Sequence, residues 1–141
     1  MKKLVIQGSV LIVAHLIAVV WHLIVLSHLH PSLTPGRVAL FAALINLFPL
    51  TALVLLWKGF ERPAGILLSI PFILGLVTGG QSHFLSRTAE NVFLIPAGEW
   101  SIAYQVSATL LAVIQILGLW IAYELVRSKG NTRPGTDLRT T

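Results

Sequence analysis

Long apolar runs alternate with short polar breaks along this chain, and the runs fill residues 4–30, 37–57, 63–79 and 99–126. At ~1.5 Å of rise per residue, segments of that length match the ~30 Å hydrocarbon interior of a bilayer. The pattern predicts an all-α membrane protein, a four-helix transmembrane bundle in residues 1–126 with a long loop between helices 3 and 4. The polar residues 127–141 are predicted to form a disordered tail.

The breaks carry helix punctuation. Pro31 stops helix 1, Thr34 is placed to cap a helix that Pro35 opens, and Lys58 to Pro63 forms a tight charged turn. Met1-Lys2-Lys3 before an apolar run resembles a secretion signal, yet the run is long enough to span and no small-x-small cleavage site follows. Helix 1 is therefore expected to stay in the protein. In helix 2, Asn46 and Pro49 predict a kink packed against neighbouring helices. Gly75 and Gly79 form a G-x-x-x-G step in helix 3, which permits close helix contact. Along helix 4, Ser101, Gln105, Ala108, Ala112 and Gln115 draw a small and polar stripe expected to face inward. Trp100 with Tyr104, and Trp120 with Tyr123, are expected to form aromatic belts at its two ends.

Composition supports the bilayer reading. Hydrophobic residues make up 55% of the chain and charged ones 11%, against roughly 25% charged in soluble domains. The absence of cysteine excludes disulfides, thiolate metal sites, iron–sulfur clusters and thiol catalysis. A net charge of +5 raises the question of nucleic acid, but the basic residues sit at helix ends and in the tail, so no nucleic-acid partner is expected. Lys2, Lys3, Lys58, Arg62, Arg127, Lys129, Arg133 and Arg139 fall on one side of the predicted bundle, and only Arg37 and Arg87 on the other. The positive-inside rule then puts both termini in the cytoplasm, the protein in the inner (plasma) membrane, and the long loop outside.

Candidate chemistry centres on histidine. Four of the five histidines lie between Ala14 and Pro31. A histidine in hydrocarbon needs a hydrogen-bond partner or a ligand. His28, His30, His83, Glu90 and Glu99 gather at the outer ends and form a candidate metal set, since imidazole and carboxylate suit zinc, copper or iron. His22, Gln105, His15, Asn46 and Trp100 are candidate ligand-contacting residues, with His22 and Gln105 at one depth and His15 near Asn46 at the midplane. A haem held by His28 and His83 is a weaker option, because only one histidine lies outside helix 1 and its end. No G-x-S-x-G, H-E-x-x-H, Walker or G-x-G-x-x-G pattern occurs.

The leading expectation is a His/Glu-lined polar site, open to the outer face, that binds a metal ion or small ligand and offers room for catalysis. The alternatives are a non-catalytic helical subunit or assembly factor of a larger membrane complex, a small haem-binding electron-transfer protein, and a small channel or carrier built on a homo-oligomer.

Overall fold

The computed structural model describes residues 2–29, 35–87 and 90–128. It is all-helical: α1 (Lys2–Leu29), α2 (Pro35–Trp57), α3 (Glu61–Gly80) and α4 (Ser101–Arg127), with a five-residue π-turn (Gln81–Leu85) continuing α3. Three stretches, Lys3–Leu29, Glu61–Leu85 and Ser101–Arg127, are long and apolar enough to cross a membrane. In α2, the apolar stretch among the described residues is Ile45–Trp57. Only about a third of each long span is buried inside the protein (33%, 28% and 33%), so the outward faces carry residues such as Ile17, Ile24, Ile73, Val77, Ile102 and Ile116. Helices apolar all round are what hydrocarbon, rather than water, accommodates.

The four helices pack in a ring, α1 against α2 and α4, α3 against α2 and α4. On α4 the buried residues Ser101, Tyr104, Ala108, Gln115, Gly118, Ala122 and Leu125, with half-buried Leu111, recur at alternating steps of three and four. That spacing winds a single seam down the helix. Small residues on both partners let α3 and α4 close up. A Cβ at Gly65 would stand 2.7 Å from the Ala122 carbonyl oxygen, and one at Gly118 would run into the Phe72 ring. Leu56, Leu68, Phe72 and Leu125 fill the larger core, toward the end that holds the start of α1 and the end of α4. A smaller core of Val25, Val92, Tyr104 and Ala108 sits at the opposite end, referred to below as the histidine end.

The α2–α3 corner closes with a Schellman arrangement. Gly59 N–H donates to the Leu56 carbonyl at 3.0 Å and Phe60 N–H to that of Leu55 at 2.9 Å, with Gly59 at φ +82°. Glu61 then opens α3, where a carboxylate faces the positive end of the helix dipole. It is buried and accepts a hydrogen bond from Ser128 Oγ at 2.8 Å, tying the end of α4 to the start of α3.

Several boundaries shift from those the sequence suggests. α2 starts at Pro35 instead of 37, in keeping with a proline at a first helical position. Its interior Pro49 leaves the helix continuous. α3 begins at Glu61 and, through the π-turn, carries helical backbone to Leu85, so the connection to α4 is shorter than the predicted 79–98. Gln81 N–H bonds back to the Val77 and Thr78 carbonyls, and Ser86 N–H to Gln81 O at 2.7 Å, which sustains the wider turn. α4 starts at Ser101 rather than 99 and includes Arg127, which the sequence pattern places in the tail. The rest of the predicted tail, from 129, lies outside the described residues.

Candidate functional site

At the histidine end, three rings from three segments meet. His22 comes from α1, His83 from the π-turn and Tyr104 from the first turn of α4. Ring centres lie 5.1 Å apart for His22 and His83, 5.3 Å for His22 and Tyr104, and 5.7 Å for His83 and Tyr104. Tyr104 is fully buried and His22 nearly so, while His83 is half-buried at the rim. The π-turn positions His83 here. Its ring folds back over Gly79, in van der Waals range of where a Cβ would stand, 3.5 Å from His83 Cδ2.

The proton positions are assigned from the hydrogen-bond geometry. Tyr104 Oη donates to the Glu90 carbonyl at 2.8 Å and lies 2.7 Å from His83 Nδ1. His83 Nδ1 is also 3.4 Å from the same carbonyl. With the phenol proton on Glu90 O, His83 donates its Nδ1–H to Tyr104 Oη, the one assignment that leaves every acceptor in the triangle with a proton. Ser107 Oγ donates to the Tyr104 carbonyl at 3.0 Å, so it accepts from His22 Nδ1–H at 2.9 Å. Both imidazoles therefore anchor through Nδ1–H and carry their lone pair on Nε2. Nδ1–H held by an oxygen is the arrangement that orients an imidazole for a ligand at Nε2.

The loop before α4 packs against the cluster. Asn91 donates through Nδ2 to the Ser86 carbonyl at 2.8 Å and accepts from Phe93 N–H at 2.9 Å. Val92 N–H donates to the His83 carbonyl at 2.9 Å. These bonds hold Val92 buried against Tyr104 and Val25, leaving Phe93 and Leu94 exposed.

The structure disperses much of the set that the sequence nominates. His28 is exposed, donates Nδ1–H to the Ile24 carbonyl at 2.8 Å and stacks on Trp100 with ring centres 4.2 Å apart. His30 lies outside the described residues. Glu90 joins the cluster through its backbone carbonyl, and Glu99 is exposed. Among the described residues no group of three or more histidine, aspartate or glutamate side chains stands close enough to hold a metal ion. Gln105, expected beside His22, is on the exposed side of α4, where its Nε2 donates to the Val92 carbonyl at 2.8 Å. His15 and Asn46 sit deeper, away from the cluster's hydrogen-bond network.

Tyr104 and Ser107 complete the site and were not singled out for it by sequence. Tyr104 is buried instead of lying in an aromatic belt. Its place three residues after Ser101 and four before Ala108, on the small-residue seam, is the signal that marks it as inward. Compared with protein-family models, curated proteins and solved structures, the chain matches none.

Proposed function

We propose that this is a four-span protein of the plasma membrane, with both termini cytoplasmic, whose outward-facing His22–His83–Tyr104–Ser107 cluster binds a small ligand, most simply a first-row transition-metal ion at the two imidazole Nε2 atoms. The orientation rests on the eight-against-two asymmetry of basic residues described above. The observation that carries the ligand reading is the pair of oxygen-anchored imidazoles on touching rings. Two imidazoles sharing one ion at about 2.0–2.1 Å per bond and a tetrahedral angle place their ring centres ~5 Å apart. His22 and His83 are 5.1 Å apart. A haem would need the width of a macrocycle between its two axial rings, which favours a small ion over haem at this pair. With two protein nitrogens engaged, the remaining positions are open to water or to a substrate molecule, the feature that separates catalytic from structural metal sites.

Equilibrium dialysis of the purified protein against Zn²⁺ or Cu²⁺, read by elemental analysis, tests this. Wild type should retain metal, His22→Ala and His83→Ala should lose most of it, and His28→Ala should keep it. Absence of retained metal in the wild type, or retention unchanged in both site variants, overturns the reading.

A second reading, a non-catalytic subunit of a larger membrane complex or a homo-oligomer, is favoured by an open groove along the outer end of α3. Leu76, Val77, Gly80, Gln81, Phe84 and Leu85 line it. It predicts a co-purifying helical partner in mild detergent and cross-links from Phe84.

A further inference from the structure

His15 precedes His22 by seven residues and shares its face of α1. Its side chain is fully buried, its ring meets Phe72 edge-on at 5.0 Å, and neither ring nitrogen has a hydrogen-bond partner. A neutral imidazole presents one N–H and one lone pair. Leaving both unmet in an apolar core is costly, and native interiors rarely do so.

The helix register shows what stands beside it. α1 and α4 run antiparallel, with His22 bonded to Ser107 and Gly8 facing Ile121. The same register sets His15 level with Ile114 and Gln115. Gln115 is buried, with its amide packed on Gly75. Phe72 and Gly75 are three residues apart on α3 and so share a face, which seats His15 and Gln115 on successive steps of one surface. On α2, Asn46 Oδ1 is likewise buried and without a partner. Pro49, one turn on, has no N–H to give the Ile45 carbonyl. Neither His15 ring nitrogen is met by a side chain of this layer.

We infer that this layer is an internal water site, in which a water molecule links the His15 ring to the Gln115 amide. Water supplies what the layer lacks. It gives a proton to the imidazole lone pair or to an amide oxygen and receives one from the ring N–H or the amide. The site is closed at both ends. Ala18 and Val19 are buried between it and His22, and Leu11, Ile12, Leu68 and Leu125 pack below it. It is thus separate from the outer cluster and independent of the proposal made for it.

Magic-angle-spinning NMR of ¹⁵N-histidine-labelled full-length protein in lipid bilayers tests the inference by polarisation transfer from water protons. Wild type should show transfer to a His15 ring nitrogen, and Gln115→Leu should reduce it several-fold while His22 signals stay in place. Absence of transfer to His15 in the wild type, or unchanged transfer in Gln115→Leu, overturns it. The wild-type spectrum alone can refute the inference, so a poorly folding variant does not shield it.

Discussion

Tyr104→Phe removes one oxygen from the centre of the cluster and little else. The ring stays, so the packing of Val25, Val92 and Ala108 around it is kept. What disappears is the donor to the Glu90 carbonyl at 2.8 Å and the acceptor for His83 Nδ1–H at 2.7 Å. A net hydrogen bond contributes about 0.5–1.5 kcal/mol, and polar contacts within membrane helices average ~0.6 kcal/mol, so two bonds come to roughly 1–3 kcal/mol. The His83 Nδ1–H can still turn to the Glu90 carbonyl, already 3.4 Å away. That residual contact moves the expectation to the lower half, ~1–1.5 kcal/mol. Reversible unfolding of the detergent-solubilised variant should register the loss. The second readout is metal retention: freeing His83 from its anchor should weaken affinity about 10-fold or more, as loss of outer-shell partners does elsewhere. A Tyr104→Phe protein as stable as wild type and equally able to retain metal would show that the phenol neither braces the loop at Glu90 nor orients His83, and the tautomer argument would fall with it.

Gly65→Ala should destabilise by about 1–3 kcal/mol, because its Cβ meets the Ala122 backbone oxygen at 2.7 Å and backbone cannot step aside. Gly8→Ala meets only the tip of the Leu56 side chain at 3.0 Å, so a small rotamer shift set against ~0.5–1 kcal/mol of helix preference should leave stability near wild type. Parallel thermal unfolding of the two variants checks the contrast. Trp100→Leu should release His28, seen as a changed His28 ring signal by NMR, while metal retention at the inner pair holds; a parallel loss of metal would place the stacked rim inside the site.

Why the helices were legible and the cluster only half so has a physical basis. Spanning length and apolar content are properties of a run, and Pro35 and the Lys58–Pro63 break punctuate the runs in plain sight. Depth along a helix is also countable, and it put His22 near the first turns of helix 4. Depth does not give azimuth. Gln105 and Ser107 differ by 3 Å of rise but by about 200° of rotation, so the residue that reaches His22 is the one on the seam and not the more polar one. The chemistry of Tyr104 suggests an interfacial aromatic, but its spacing from Ser101 and Ala108 is the better guide. Glu90 offers a carboxylate in the sequence, yet its backbone carbonyl makes the contact, and sequence alone says nothing of which carbonyl a loop will present. The sequence places His83 just past the end of helix 3, where the structure finds it at the histidine end, but its partners follow from a wide turn that has no periodic signature.

That wide turn has a consequence for how the site could be gained or lost. A π-turn is an α-helix carrying one residue more than its regular winding requires. Deleting one residue between Gln81 and Leu85 would let α3 run on as ordinary helix with the residues beyond it in nearly the same register, and the wide turn that folds His83 back over Gly79 would be gone. The ring of four helices does not depend on that residue, since α3 already packs on α2 and α4 below it. A single codon therefore separates a bundle that bears this cluster from a bundle that does not, so the scaffold and its site can have separate histories.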